Sequence, residues 1–347
     1  MTSFDGNIVE RCSRTVEEYV APGGVVGVVR TNGERKLYPF GHQTYDLASP
    51  FVVDDTIYDV ASITKSIPTA SLALALIDKG ALGLDQPVAT YIPEVKNNYQ
   101  DSVLVKHLLT YTIDSAPLSE LKDNSAEEIL AQIFSRPLEH KPGTVFRYSN
   151  TPALLLGLIV ERIFGVGIPQ AAQDNFFKPL RMKRTGFMPQ QKMHQYIAPS
   201  EGGLRGEVHD ESARVFAKEG RSVGHAGLFS TASDILNFLE MLLGGGEIHG
   251  RRYFSNQIIR DMATNKISEL GDSTGLGWEL NQARFMGQHR SKHTFGKTGF
   301  TGTSIVCDIE RDVAFVILTN RTFPQRPPDD TAINIFRNDI ADILLCV

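Results

Sequence analysis

Strand-forming segments sit at the two ends of this chain, and the stretch between them is helical. Val25 to Arg30 is apolar and β-branched, Asn32-Gly33 is a hairpin turn, and Lys36 to Phe40 returns as a second strand. Near the other end, His293 to Phe295, Thr303 to Ile309 and Val313 to Thr319 read as three more strands, with a turn at Glu310-Arg311-Asp312. Helical patterns cover 6–18, Ser62 to Lys79 with Gly80 as its stop, Thr151 to Phe164, Ser233 to Leu243 from a Ser cap, and Asp330 to Leu345. Thr151 to Phe164 is apolar on nearly every side, which predicts a buried helix. Pro93, Pro117, Pro142 and Pro179 break the patterns between 81 and 215 into short pieces. A chain arranged in this way builds one sheet from its two termini, flanked by terminal helices, with a helical unit inserted between. The expected division is 1–75 with 216–347 for the sheet domain and 76–215 for the inserted domain.

A length of 347 residues allows one large or two intimately packed domains at roughly 150 residues each. Charge narrows the partners: 35 basic against 40 acidic residues leaves −5, so no basic excess points to nucleic acid or an anionic membrane surface. Cys12, Cys307 and Cys346 are too few and too scattered for a disulfide framework or a CxxC zinc site. The apolar runs Leu72 to Ile77 and Ala153 to Val160 fall far short of a membrane span. Asp5 and Glu10 interrupt any secretory core at the start, so a cytoplasmic location is expected, although a chain whose leader had been removed would read the same.

Three short motifs carry the chemistry. Ser62-Ile63-Thr64-Lys65 opens an apolar helix, and residues three apart on a helix share a face, so Lys65 can point at the Ser62 hydroxyl. A lysine kept neutral by burial can take the proton that makes serine a nucleophile. About one Ser-x-x-Lys is expected by chance in a chain this long, and a second copy, Ser119-Glu120-Leu121-Lys122, lies in a polar loop that opens no apolar helix. Tyr148-Ser149-Asn150 precedes the buried helix. Its phenol becomes a base if ammonium groups flank it, and the same residues would also serve as a plain turn into a helix cap. Lys297-Thr298-Gly299 follows a strand and suits either an anchor for a substrate carboxylate or a solvated strand lysine. Gly296-Lys297-Thr298 is not the tail of a phosphate loop, because Ser291 stands where that loop needs glycine and a strand follows instead of a helix.

In this order, Ser-x-x-Lys, Tyr-x-Asn and Lys-Thr-Gly resemble the class C β-lactamase-like family of penicillin-recognising acyl-serine enzymes. That family includes DD-peptidases, class C β-lactamases and a group of carboxylesterases. The resemblance runs over roughly residues 20–325. It takes in Asp59-Val60-Ala61, Leu84-Asp85-Gln86-Pro87-Val88, Lys141-Pro142-Gly143-Thr144, Gly224-His225-Ala226-Gly227-Leu228-Phe229-Ser230-Thr231 and Gly275-Leu276-Gly277-Trp278. It implies an α/β (α+β) fold of the β-lactamase/DD-peptidase type, with an antiparallel sheet from both chain ends. By the same resemblance Ser62 is the nucleophile, and Lys65 and Tyr148 share the proton transfers. Asn150 would hydrogen-bond Lys65 or the substrate amide, and Lys297 would stabilise Tyr148 or, with Thr298 and Gly299, bind the substrate. The backbone N–H groups of Ser62 and Phe300 would form the oxyanion hole. No cofactor and no metal is implied.

Two departures from the family pattern stand out. Tyr111 and Asp114 replace the usual residues of a Leu-Leu-Thr-His-Thr-Ser-Gly run, which bears on substrate fit. Pro68 lies early in the nucleophile helix, which predicts a local distortion or a helix starting nearer Lys65. His209-Asp210 reads as a structural pair before a catalytic one, His225 as a loop-ordering residue and Cys307 as a small buried apolar residue. Trp278 and Phe300 suit the lining of a substrate cleft, and Trp278 suits the core equally well. The function expected first is hydrolysis of a small ester or amide by way of acyl-Ser62. A β-lactamase or D-amino-acid peptidase is the alternative, and a β-lactam or peptide sensor with stalled deacylation is the reading from another class. The partner is a small-molecule ester, amide or β-lactam, and the sequence does not set the oligomeric state.

Overall fold

The computed structural model describes residues 4–95, 99, 102–115, 118 and 124–346; the second Ser-x-x-Lys, at 119–122, lies outside them, as does Pro117. Six helices carry the architecture: α1 (Phe4–Glu17), α2 (Ser71–Asp78), α3 (Thr151–Phe164), α4 (Glu211–Lys218), α5 (Ala232–Leu243) and α6 (Thr331–Leu345). The strands are β1 (Gly23–Val29), β2 (Arg35–Gly41), β3 (Tyr58–Asp59), β4 (Gly186–Phe187), β5 (Leu228–Ser230), β6 (Glu247–Ile248), β7 (Arg251–Arg252), β8 (Glu279–Leu280), β9 (Phe295–Thr298), β10 (Ser304–Asp308) and β11 (Val313–Thr319).

The main sheet has the order β2-β1-β11-β10-β9-β8 and is antiparallel throughout. β1 therefore pairs directly with β11, Val26 opposite Ile317, and the two chain ends form the centre of one sheet as their patterns predict. Every residue of β1 and β11 is buried, because both faces of the sheet are covered. Side chains alternate along a strand. Val26, Val28, Phe315 and Ile317 pack under α1 and α6, with Ile8, Phe336 and Ile340. Val25, Val29, Val316 and Leu318 face the other way, onto Leu236 and Leu239 of α5. That second apolar cluster runs without a break into Leu155 and Ile159 of α3. No single helix among the described residues is long and apolar enough to cross a membrane.

Some elements differ from expectation. The third predicted strand is shifted: it starts at Phe295, so Lys297 lies inside the strand and not beyond it. Its outer partner β8, only two residues long, has no readable sequence pattern. The cap of α5 is Thr231, whose side chain accepts from Asp234 N, and Ser233 lies inside the helix. The helix predicted from Ser62 to Lys79 is interrupted. Lys65–Ala70 is wound more widely than an α-helix and breaks at Ile67 (φ −118°, ψ 109°) before α2 begins. Pro68 explains the break, since it has no N–H to continue the ladder and disfavours a helical residue before it. Ser71 Oγ donates to the carbonyl of Ser66 at 2.8 Å and satisfies part of the interrupted ladder.

Candidate active site

Ser62 stands at the end of a tightly held turn. β3 joins a second small sheet of order β3-β5-β4, and Val60 N–H donates to Leu228 O at 3.0 Å. The Asp59 carboxylate accepts from Ala61 N at 2.8 Å and from His209 N at 2.7 Å. Ala61 takes φ +47°, a conformation that costs a non-glycine residue of order 1 kcal/mol and turns the chain sharply before Ser62. One turn later, Lys65 Nζ donates to Ser62 Oγ at 2.7 Å and to the carbonyl of His225 at 2.9 Å. Lys65 is buried. Burial disfavours its ammonium form and holds its pKa below the usual lysine range, a direction Lys297 reinforces while Tyr148 and Asp210 oppose it.

Tyr148 lies against both lysines. Lys297 Nζ is 4.0 Å from its ring centroid and Lys65 Nζ 5.4 Å, while the Tyr111 ring packs beside it at 5.1 Å. Burial pushes a phenol's pKa up, yet here the ammonium groups of Lys297 and Lys65 outweigh it and the phenol is more acidic than usual. Part of the residue still reaches solvent, at 44% exposure.

Lys297 is fully buried in β9 and donates to Glu279 Oε1 at 2.8 Å. Burial alone would lower its pKa, but the Glu279 carboxylate prevails and keeps it charged. Glu279 is opposite Gly296 in the adjacent strand and is also ion-paired to Arg284. Sequence reasoning missed Glu279 and Arg284, which carry no motif; the only route to Glu279 would have been to ask which carboxylate neutralises a buried lysine.

Of the two partners expected for Asn150, Lys65 is not the one it bonds. Its Nδ2 donates to Asp210 Oδ2 at 3.1 Å, and Lys65 is instead bonded to Ser62 and His225. Asp210 caps α4 by accepting from Ala213 N at 2.9 Å and lies 3.3 Å from His225 Nε2. His209 and Asp210 are therefore not a pair: the His209 ring is 3.3 Å from Glu201 and stacks on Phe300. His225 is buried in the loop whose carbonyl holds Lys65, so its ordering role comes with a direct contact to the site.

The Lys-Thr-Gly turn is fastened to the strand before Ser62. Thr301 Oγ1 donates to Asp59 O at 2.7 Å and Thr303 Oγ1 to Val60 O at 3.1 Å. Neither the Ser62 nor the Phe300 amide has an acceptor among the described residues. Gly299 permits this approach: a Cβ there would lie 2.1 Å from Thr303 Oγ1 and 2.4 Å from Val60 O. Gly299→Ala is expected to displace the turn and lower kcat/KM by about 10²-fold or more, the usual effect of losing one oxyanion donor. Steady-state kinetics beside a thermal melt checks this. Phe300 is 42% exposed at the rim, whereas Trp278 is fully buried edge-on to Phe295 and belongs to the core. Cys307 is buried in β10.

A cleft of about 220 Å³ opens beside Tyr148, lined by Tyr111, Phe146, Thr274, Glu279 and Arg284. Arg284 reaches the Thr298 hydroxyl, Nη2 at 3.2 Å, so a guanidinium borders the threonine of the Lys-Thr-Gly. Asp114, one of the departures from the family run, is buried and bonded to His140 Nδ1 at 2.5 Å and ion-paired to Arg147. With Glu139 these groups could in principle surround a cation, but the Arg147 guanidinium already occupies the carboxylate. The visible effect of Asp114 is to anchor the residue before Tyr148.

An antiparallel sheet with helices on both faces, and a Ser–Lys hydrogen bond beside the turn between β9 and β10, defines the β-lactamase-fold serine hydrolases as a class. The sequence profile of the family described as Beta-lactamase matches residues 12–338, and the chain belongs to that family. A protein of Escherichia coli (strain K12) named "Putative D-alanyl-D-alanine carboxypeptidase" is 32% identical over 80% of this chain and 72% of its own length. The N-acetylmuramyl-L-alanine amidase of Bacillus subtilis (strain 168) is 28% identical over 97% of this chain and 86% of its own. Among solved structures, the β-lactamase/D-alanine carboxypeptidase of Pseudomonas syringae superposes with a TM-score of 0.79 at 20% identity, over 99% of this chain and 98% of that one. EstCE1, a hydrolase with promiscuous acyltransferase activity, gives 0.78 at 20% identity, over 99% and 98%. At that identity the two structures establish the fold alone.

Proposed function

We propose that this chain hydrolyses esters or amides through an acyl-enzyme on Ser62. The observation that carries the reading is the 2.7 Å hydrogen bond from buried Lys65 to Ser62 Oγ, beneath a phenol flanked by two lysines. In the first half-reaction Ser62 Oγ bonds to the substrate carbonyl carbon and its proton passes to the Lys65–Tyr148 pair. The bond to the leaving group then breaks, and the leaving group takes that proton. In the second half, water adds to the acyl carbon, gives its proton to the same pair, and Ser62 departs with that proton as the acid is released. Lys65 and Tyr148 titrate as a unit, so the base is the pair. The free amides of Ser62 and Phe300 receive the negative oxygen of each tetrahedral intermediate. Asn150, held by Asp210, and Thr298, bonded to Arg284, are the side chains assigned to bind the substrate.

A specific observation favours a second reading, cleavage of a peptide with a free C-terminal carboxylate. Arg284 reaches the hydroxyl of Thr298 beside the cleft, and a guanidinium next to a hydroxyl is a donor set suited to a carboxylate. The E. coli relative's name points the same way. Arg284→Gln is expected to lower the ratio of peptide to neutral-ester kcat/KM by about 10–100-fold, the worth of one charged hydrogen bond. An unchanged ratio sinks this second reading.

The deciding test of the whole scheme is an intact-mass time course with excess benzylpenicillin, following free drug in the same samples. A lasting adduct that Ser62→Ala abolishes means penicillin binding with slow deacylation. Opened drug without an adduct means a β-lactamase. Neither result leaves the ester and amide reading, which short-chain esters then address.

A further inference from the structure

Arg337 lies on α6, outside every motif, and is buried at 2% exposure. No carboxylate within ion-pairing distance neutralises it among the described residues, and its Nε is buried without a partner. Burial, with the nearby charges of Arg321 and Arg284, pushes its pKa down to about 9. A lone interior guanidinium is costly to keep. Its Nη1 donates to Asn334 Oδ1 on its own helix at 2.9 Å, and its Nη2 reaches the turn after Lys297, donating to Gly299 O at 3.0 Å and to Thr303 O at 2.7 Å. A second buried arginine, Arg321, donates from Nε to Phe300 O at 2.9 Å and from its backbone N–H to Thr301 O at 3.0 Å. Four carbonyls of this turn are thus drawn to its rear.

Gly299 C=O and Phe300 N–H belong to one peptide unit. In a trans peptide these two groups point in opposite directions. A guanidinium that fixes the carbonyl therefore aims the amide the other way, and the positive charge polarises the unit so that its N–H becomes a stronger donor. The same turn is tied at its front to Asp59 and Val60, immediately before Ser62.

We infer that Arg337 is a positioning residue for the oxyanion hole, acting from the C-terminal helix through the Gly299–Phe300 peptide to orient and polarise the Phe300 amide. The inference rests on the acyl-Ser62 reading above. It assigns a share of transition-state stabilisation to a side chain that never meets the substrate.

The test compares Arg337→Met, Arg337→Lys and Ser62→Ala with the native chain. The substrate is p-nitrophenyl acetate. The probe is phenylboronic acid, which adds to a serine oxygen to give a tetrahedral anion and so measures the hole directly. In Arg337→Met, kcat is expected to fall about 10–100-fold, less than outright loss of a donor, with KM changed little and boronate affinity weakened by a matching factor. Arg337→Lys, whose ammonium reaches one of the two carbonyls, is expected to recover part of both. If Arg337→Met does not fold, Arg337→Gln, which is shorter, keeps an N–H donor for the buried polar site and lacks the charge, carries the same comparison. A purely structural role lowers the melting temperature and the active fraction but leaves boronate affinity per active site unchanged, and that result overturns the inference. Boronate binding and turnover that survive in Ser62→Ala overturn the underlying reading instead, so the two failures are separable.

Discussion

Ser62→Ala is expected to abolish turnover of any substrate this chain accepts, lowering kcat by on the order of 10⁴–10⁶, the loss typical of removing a covalent nucleophile. The reason is local. Lys65 Nζ bonds to Ser62 Oγ, and without that oxygen the activated lysine has nothing to deprotonate. The fold should be indifferent to the change. Ser62 is half-buried, and the Val60, Ala61 and Lys65 amides that shape its turn bond to backbone or to Asp59, leaving them untouched by the substitution. The melting temperature is therefore expected to hold within about 2 °C, the scale of a change well under 1 kcal/mol. Loss of activity together with loss of the penicillin-derived adduct assigns the covalent step to this side chain. Retained turnover in a folded variant removes the assignment.

The second large effect concerns Tyr148. Tyr148→Phe is expected to lower kcat/KM by about 10²–10⁴-fold, the usual contribution of a proton-transfer group. Lys297→Met is expected to move the pH profile as well as lower the rate. The sign follows from the charges. Lys297 is the stronger of the two ammonium groups that hold the phenol below its ordinary range. Removing a positive neighbour disfavours phenolate, so the pKa rises. In the proposed mechanism the base form is the active one, so the acid limb of kcat/KM is expected to shift to higher pH. Methionine keeps most of the volume in β9, while Glu279 retains Arg284 as a partner. A rate loss with an unmoved acid limb would mean that Lys297 serves only the substrate and that the proton rests on Lys65.

Much of this was legible beforehand, for reasons that differ by element. That the two chain ends share one sheet follows from apolar β-branched segments at each end, whose buried backbones need strand partners inside the protein; that β1 lies directly on β11, and in which register, is seen only in the structure. Helix α3 has the bounds its apolar pattern implies, because a segment apolar on all sides has nowhere to go but the core. The break at Ile67 was anticipated from Pro68, whose effect is covalent and local. Less was legible where two short segments meet. β8 is two residues long, too short for any periodicity, and it exists because β9 offers it an edge.

The site divides along the same line. Ser62 and Lys65 are three residues apart, so their meeting is a property of a helical turn and can be read from spacing. Glu279 beneath Lys297, Asp210 holding Asn150, and Arg337 behind Gly299 are contacts between segments 18, 60 and 38 residues apart. No local rule links such residues. They are joined because burial forces every charged or polar group in the interior to find a partner, and which partner is nearby depends on how sheet and helices pack. Residue order alone thus determined the fold class, the motif side chains and the reaction type they resemble. Only the tertiary structure decided which groups set their charge and aim their donors, because those interactions act through space between segments far apart in the chain.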